Sequence, residues 1–281
     1  MNAIDFLRAV SAAALLAAVG CGPQDSTGVG NPGLTQEEQA LINDGNEASE
    51  SGDTASSLVA APIFAITKPA EIATEDTATG VAALSRTVFL PSGCATADRA
   101  GLVVTYTFAD CSGPLGLVHV EGKLIATFSA GAPGAVMVHV QSDALRLNKI
   151  DVEETADAVI SFSGSTKLTH WTGLFKSTTP RGYPVSHTAT YDVQSDPSTG
   201  CIQIDGSSAT TITRDGGEHG LKTTVTGYVR CGARTACPSS GTFVFSTLDD
   251  KVRLTVTFLP GGVVEITTPR GKVKDYPIRC G

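Results

Sequence analysis

Apolar and polar residues alternate over much of the second half of this sequence, and that period of two restricts the fold more than any other feature. The clearest case is the segment 252–258, which reads VRLTVTF. Successive side chains of a β-strand point to opposite faces, so this alternation is typical of a strand with one buried face. Further runs rich in β-branched or aromatic residues occur at 103–108, 136–140, 191–193, 202–204, 225–229 and 243–245. We therefore predict an all-β fold.

Turn-forming residues separate these runs at short intervals. Clusters of Gly, Pro, Asp and Ser lie at 131–134, 196–200, 215–217, 260–262 and 268–271. Short strands joined by such turns favour a single antiparallel sheet-rich domain, arranged as a meander, a sandwich or an open curved sheet. Pro277 is expected to place the final strand at a sheet edge or to end it, because proline cannot donate a ladder hydrogen bond.

The N-terminus carries an uncharged apolar segment, 9–19, which is too short to cross a bilayer of about 30 Å as a helix. It has the length of a signal-peptide apolar region. The segment leads into Ala18-Val19-Gly20-Cys21, which resembles the bacterial lipobox. That resemblance implies that residues 1–20 are removed and that Cys21 becomes a lipidated first residue. The alternative is an ordinary secretory signal, which leaves Cys21 as a spare thiol.

The residue after Cys21 is Gly22 and not Asp. In lipoproteins of this kind an Asp at that position retains the protein at the inner membrane, so the resemblance implies the outer membrane. Several acyl chains anchor a protein firmly, whereas a single chain is marginal.

Residues 21–57 are expected to form the lipidated N-terminus and a flexible acidic tether, because Gly, Pro, Ser, Asn and acidic residues dominate them. A mixed segment at 58–87, helical over 69–87, should connect this tether to an antiparallel β domain at 88–281. Two stretches, 111–122 and 201–206, each run from Cys through alternating residues to Gly. With the lipobox and the tether, this pattern makes the chain resemble uncharacterised β-rich surface or periplasmic lipoproteins of Gram-negative envelopes.

Charge separates the tether from the body. Residues 22–80 contain ten acidic residues and one base, Lys68, whereas 81–281 contain 17 acidic residues and 18 bases. The acidic segment should be repelled by an anionic membrane surface and hold the body away from it. The body has no basic surplus, which argues against nucleic acid as a partner.

Six cysteines remain once Cys21 is set aside, and an even number in an exported chain predicts disulfides. Cys201 and Cys231 are equidistant from Gly216, so one hairpin with a three-residue loop places them opposite each other. By elimination we pair Cys94 with Cys111 and Cys237 with Cys280. A change of one residue in the register would remove the geometric argument, and a Cys231–Cys237 bridge would contradict the whole scheme.

The sequence carries no recognisable motif for catalysis or metal binding. None of the five histidines belongs to a His-x-x-x-His pair, and the spacing of Cys231 and Cys237 is wider than that of zinc-site pairs. The sequence contains no Gly-x-Ser-x-Gly elbow, no Ser-x-x-Lys motif and no P-loop. We therefore predict no catalytic residue, no metal site and no cofactor.

One loop-rich stretch offers a candidate binding platform. It contains Trp171, which is the only tryptophan, together with Phe175, Arg181 and Tyr183. Aromatic side chains beside a base can stack against sugars or peptides. The alternative is that Trp171 is buried in the core of the sheet.

Three functions follow from these features. The leading one is a lipid-anchored, non-enzymatic envelope protein with a structural or binding role, whose partners are the membrane, through its lipid, and an unknown envelope protein or glycan. The second is a lipid or lipoprotein carrier, which predicts a concave sheet face lined continuously by Val, Leu, Ile and Phe. The third is a hydrolase, which needs a pocket that joins a nucleophile or a carboxylate pair with a histidine from another strand.

Overall fold

The computed structural model describes residues 66, 78–79, 89–112, 119–179, 181–232 and 236–278. These residues form thirteen β-strands: β1 Ala95–Ala100, β2 Val103–Ser112, β3 His119–Ala130, β4 Ala135–Leu147, β5 Ile150–Ser163, β6 Thr166–Thr178, β7 Pro184–Asp196, β8 Cys201–Arg214, β9 Gly217–Arg230, β10 Ser240–Thr247, β11 Arg253–Leu259, β12 Val263–Thr268 and β13 Gly271–Pro277. Over the same ranges, no helix has the length and apolar character needed to cross a membrane.

All thirteen strands belong to one open antiparallel sheet, in which they are ordered β1 to β13 as they are in the chain. The all-β prediction is therefore confirmed. The strands follow one another as in a meander, and the sheet is open. Pro277 ends β13, which pairs only with β12 among the described strands. It lies at the sheet edge, where the missing amide hydrogen is tolerated.

The sheet has one buried and one exposed face, which we call the inner and outer faces. Strand β7 shows the pattern: Val185, His187, Ala189, Tyr191 and Val193 are buried, and the residues between them are half-buried or exposed. Buried residues from β1 to β12 form one contiguous cluster. Open sheets of more than about ten strands rarely stay uncurled, so we infer that the sheet curves around its inner face.

The segment that precedes the sheet contributes to this cluster. Ile66 and Ala78 are 4% and 0% exposed and pack with the buried side chains of the strands. Ala78 and Thr79 are helical and lie within the stretch predicted as a helix, 69–87. The remaining residues of that stretch, like the signal and the tether, lie outside the described residues.

Two disulfides are present. Cys94 is bonded to Cys111, with Cα atoms 5.3 Å apart, and Cys201 is bonded to Cys231, with Cα atoms 3.9 Å apart. Both are pairs that the sequence predicts. Cys237 is also disulfide-bonded, and its sulfur lies 4.0 Å from the carbonyl oxygen of Ile278. Because Cys280 lies outside the described residues, the Cys237–Cys280 pair stays a prediction.

The loop predicted for the β8–β9 hairpin is wrong by one residue. The turn consists of Asp215 and Gly216 alone, both with positive φ, and Arg214 pairs with Gly217. Such two-residue turns match the twist of the flanking strands. A bulge further along β9, near Gly227, adds one residue to that strand and brings Cys231 back opposite Cys201.

Candidate functional site

One row of residues across strands β5 to β8 places three polar side chains, Glu154, His187 and Thr210, on the largely apolar inner face. Glu154 pairs with Phe175, Phe175 with His187, and His187 with Thr210. All four residues are buried. Neighbouring strands lie about 4.8 Å apart, so the row from Glu154 to Thr210 spans roughly 14 Å.

Glu154 lies in this row with its carboxyl group inside the protein. Its backbone amide donates to the Ser142 hydroxyl at 2.8 Å, and that hydroxyl donates to the carbonyl oxygen of Val152 at 3.2 Å. These bonds fix the backbone at the point where β4 and β5 change register. Burial raises the pKa of the Glu154 carboxyl well above its ordinary value, because the charged form loses its hydration. Burial therefore shifts this carboxyl group towards its uncharged form, and that form can donate a hydrogen bond.

One oxygen of this carboxyl group, Oε2, is buried and has no hydrogen-bond partner among the described residues. The hydroxyl oxygen of Ser177 is in the same situation. Ser177 follows Phe175 by two residues on β6 and pairs with Val185 of β7. It therefore lies on the same face as Phe175 and is a diagonal neighbour of both Glu154 and His187.

His187 completes the cluster. Its Nδ1 atom lies 2.8 Å from the hydroxyl oxygen of Thr210. Burial lowers the pKa of the imidazole to about 4, so the ring is uncharged at neutral pH. A neutral imidazole has one donor nitrogen and one acceptor nitrogen, so Nε2 takes whichever role Nδ1 leaves.

Small side chains form the next row of the inner face. Ala156 pairs with Gly173, Gly173 with Ala189, and Ala189 with Ser208. The ring of Trp171 lies against Gly173, where an added Cβ atom would be 2.7 Å from the indole carbon Cζ3. The polar row is therefore bordered by short side chains and by one large aromatic ring.

The predicted binding platform is not an exposed surface in this structure. Trp171 and Phe175 are 5% and 3% exposed, since both point to the inner face of β6. Tyr183 is partly buried against the core, whereas Arg181 is exposed in the β6–β7 connection. The alternative interpretation, Trp171 in the core of the sheet, is correct. Its ring centroid lies 5.5 Å from that of Tyr191.

The outer face carries three exposed pairs of histidine and aspartate on neighbouring strands. The Nδ1–Oδ1 distances are 3.0 Å for His119–Asp110, 2.8 Å for His139–Asp157 and 2.8 Å for His170–Asp192. In the described part of the chain, no group of three or more His, Cys, Asp or Glu residues is placed to hold a metal ion. These pairs are therefore cross-strand contacts of an exposed surface.

Lys167 is the buried cation of the inner face, and it lies far from the polar cluster. It precedes Phe175 by eight residues on β6, which corresponds to roughly 27 Å of extended strand. Burial lowers the pKa of its amine to about 7, because the charged form loses its hydration.

Ser177, His187 and Glu154 are residue types that hydrolases use. Nucleophilic catalysis needs a hydrogen bond from the serine hydroxyl to the histidine. Among the described residues the Ser177 hydroxyl has no hydrogen-bond partner, and the His187 ring is hydrogen-bonded to Thr210. Within the described residues, the cluster can offer neutral donors and acceptors to a bound molecule.

The sequence contains one signal for this cluster. Glu154 alternates with Val152 and Ala156, and His187 alternates with Val185 and Ala189, so the period of two assigns both polar residues to a buried face. Their place in a common row depends on the register of three strand pairs, which the sequence does not reveal.

Comparisons of the chain with models of protein families, with curated proteins and with solved structures found no match.

Proposed function

We propose that this protein is anchored in the outer membrane of the cell envelope through a lipid on Cys21, and that its sheet domain has a non-enzymatic structural or binding role. The disulfides of the sheet are the observation that supports export of the protein, because such bonds persist in oxidising compartments and are rare in the cytosol. Ala18-Val19-Gly20-Cys21 supplies the attachment point, and the acidic tether supplies the spacing between membrane and domain.

Incorporation of labelled palmitate tests the anchor directly. Bacteria that express the parent chain should incorporate label into the protein, and a Cys21→Ser form should contain none. Immunoblots of both forms control for expression, and membrane fractions should retain the parent but not the variant. An unlabelled parent chain contradicts the proposal, as does label that persists in the Cys21→Ser form.

A second function, the carriage of lipid, is favoured by one observation on the inner face. Buried apolar side chains follow one another from β1 to β12 in a single cluster, and Ile66 and Ala78 of the preceding segment pack against it. A continuous apolar face of this kind is the feature that binding of an acyl chain requires. Transfer of apolar surface out of water is the main driving force for such binding.

Native mass spectrometry tests the carrier. The Cys21→Ser form lacks the covalent lipid, so any lipid mass on it is bound non-covalently. We expect a species that carries one lipid molecule after purification from whole cells or after incubation with monoacylglycerol. The carrier is contradicted if the protein remains free of lipid under both conditions, and the anchor proposal is unaffected by that result.

A further inference from the structure

The two disulfides of the sheet differ in their exposure to solvent. Cys94 and Cys111 are 9% and 0% exposed and belong to the core cluster. Cys201 is half-buried and Cys231 is exposed. Exchange between a thiol and a disulfide requires a thiolate to reach one of the two sulfur atoms, so access limits its rate. The Cys201–Cys231 bond is therefore open to a reagent in solution, whereas the Cys94–Cys111 bond is protected by the fold.

Glycines lie on both sides of the exposed bond. Gly200 precedes Cys201, and Gly232 follows Cys231. The two glycines lie against each other, since a Cβ atom added to Gly200 would be 3.3 Å from the carbonyl oxygen of Gly232. Glycine has no side chain that could cover a neighbouring sulfur atom, so the exposed bond is not shielded by the residues next to it.

The strand ladder keeps the two cysteines close together without help from the bond. Ile202 pairs with Arg230, one residue away from the bond in each strand. Cys201 also pairs with Asp196 of β7. Breaking the disulfide therefore leaves β8 and β9 in the sheet, and two thiols that stay adjacent can form the bond again.

We propose that Cys201–Cys231 is a thiol–disulfide exchange site, which a dithiol reduces while the sheet stays folded, and that Cys94–Cys111 is a structural bond. A thiolate of the dithiol attacks the Sγ atom of Cys231 and forms a mixed disulfide with it. Cys201 leaves as a thiolate and takes up the proton that the attacking thiol has lost. This inference goes beyond the proposed anchoring and lipid carriage and does not rest on either.

The second thiol of the reagent completes the reaction. It loses its proton and attacks the reagent's own sulfur in the mixed disulfide, so that Cys231 leaves as a thiolate and takes up that proton. The dithiol departs as a disulfide. In total, two electrons and two protons pass from the dithiol to the cysteine pair.

Reduction removes one tie between β8 and the connection that follows β9. Cys231 is the first residue after β9, and the bond joins it to the first residue of β8. At the other end of this connection, Ser239 donates from its amide and its hydroxyl to the carbonyl oxygen of Val229, at 2.8 and 3.2 Å. These hydrogen bonds do not involve the cysteines, so we expect the change to be confined to the neighbourhood of Cys231.

Reduction under native conditions tests the difference between the two bonds. The full-length Cys21→Ser chain is incubated with dithiothreitol at pH 7.5, free thiols are alkylated at intervals, and peptide mass spectrometry follows each bond separately. We expect Cys201–Cys231 to be reduced at least about tenfold faster than Cys94–Cys111, because the buried bond is out of reach of the reagent. Equal rates overturn the proposal, as does faster reduction of Cys94–Cys111.

The same measurement in concentrated urea is the matched control. The unfolded chain protects neither bond, so the two rates should converge. A difference that persists in urea comes from the local sequence and not from the fold, and it also overturns the proposal.

Two variants identify the sulfur that is attacked. Cys201→Ser leaves Cys231 as a free thiol, and Cys231→Ser leaves Cys201. With oxidised glutathione, the Cys201→Ser form should acquire a mixed disulfide about tenfold faster than the Cys231→Ser form, because Cys231 is the more exposed residue. Equal rates in the two folded variants overturn attack at Cys231. The reduction experiment on the parent stays decisive if either variant does not fold.

Circular dichroism decides whether the sheet survives the reaction. After reduction of Cys201–Cys231 alone, the far-ultraviolet spectrum should match that of the oxidised protein, and the bond should form again when dithiothreitol is removed in air. Loss of the β-sheet signal at the rate of reduction would show that the bond opens only with unfolding, and the exchange site would be overturned. Palmitate labelling and lipid binding are separate measurements, so the earlier proposals are unaffected by this result.

Discussion

At the scale of single residues, His187 shows how burial sets the charge of a side chain inside this sheet. Its pKa is lowered to about 4 in the folded protein, against an ordinary value of 6.5, because the charged ring would lose its hydration. The unfolded chain therefore binds a proton at a higher pH than the folded one. The contribution of His187 to stability is present above pH 6.5 and is lost as the pH falls towards 4.

The variant His187→Gln should remove this dependence while keeping an amide that can bond to Thr210. Between pH 7.5 and 4.5, the free energy of unfolding of the parent should fall by about 2.5 kcal/mol more than that of the variant. Urea unfolding at the two pH values measures the difference. His170→Gln, at an exposed histidine paired with Asp192, is the control and should follow the parent. Equal losses in the parent and in His187→Gln contradict the prediction.

Gly206 illustrates a residue whose identity is fixed by close approach. An added Cβ atom would meet the backbone oxygen of Thr190 and would lie 2.6 Å from Cδ1 of Tyr191, and the backbone has a φ of +149°. We predict that Gly206→Ala lowers the free energy of unfolding by about 1–3 kcal/mol, since the aromatic ring and the strand must both shift.

Gly217→Ala is the matched control for that change. The atom nearest to a Cβ added at Gly217 is Nε2 of His219, 3.6 Å away, which is an ordinary van der Waals contact. Its stability should stay within about 0.5 kcal/mol of the parent, as is usual away from special positions. Denaturant unfolding of both variants checks the pair, and equal effects would show that the close approach at Gly206 is not decisive.

At the scale of elements, the β8–β9 hairpin depends on one carboxylate at its bulge. The Oδ1 atom of Asp205 accepts a hydrogen bond from the backbone amide of Gly227 at 2.6 Å, and Gln203 donates to Oδ2 at 3.2 Å. Without this acceptor the bulged amide is left partnerless in a half-buried position. The bulge is what brings Cys201 and Cys231 opposite each other.

We predict that Asp205→Ala lowers the free energy of unfolding by about 1.5–3 kcal/mol, the range for hydrogen bonds to charged groups. Asp205→Asn keeps a carbonyl oxygen at the same position and should recover at least half of the loss. Chemical unfolding with the disulfides intact measures both values. If alanine and asparagine have the same effect, the bond to Gly227 does not hold the bulge.

The same hairpin shows why part of the fold could be predicted from the sequence and part could not. The Asp-Gly pair and the flanking alternation locate the turn, and the symmetric spacing of Cys201 and Cys231 predicts the disulfide. The prediction placed one extra residue in the turn, whereas the structure places it in the bulge at Gly227. An extra residue in the turn and an extra residue in the bulge give the same cysteine pairing. Only the local backbone conformation distinguishes the two arrangements.

The sequence pattern does not predict strands β5 and β6, and for the same reason it does not predict the polar cluster. Ala156, Ala158 and Gly173 fill inner-face positions where β-branched residues usually mark a strand. Burial against neighbouring strands decides their conformation, and that information lies in other parts of the chain. The prediction of a surface platform at Trp171 is wrong because local sequence does not show which face of β6 packs against Tyr191.

At the scale of the whole molecule, the sheet is strongly asymmetric. The inner face excludes water over β1 to β12, whereas the outer face is polar, with Met137 and Val159 as its exposed large apolar residues. Such a one-sided sheet needs cover for its apolar face, and part of that cover comes from Ile66 and Ala78, which precede the strands. The folded unit therefore includes residues upstream of β1.

This arrangement predicts where the chain can be shortened. In a Cys21→Ser background, deletion of 22–57 should change the free energy of unfolding by no more than about 0.5 kcal/mol, because segments of such composition bury little apolar surface. Deletion of 22–80 also removes Ile66 and Ala78. It should lower the free energy of unfolding by about 2 kcal/mol or more, because two buried apolar side chains no longer contribute and their neighbours become exposed to water. Urea unfolding of the two truncated chains and the full chain measures both effects. Equal stability of all three would mean that the sheet covers its own inner face without the preceding segment.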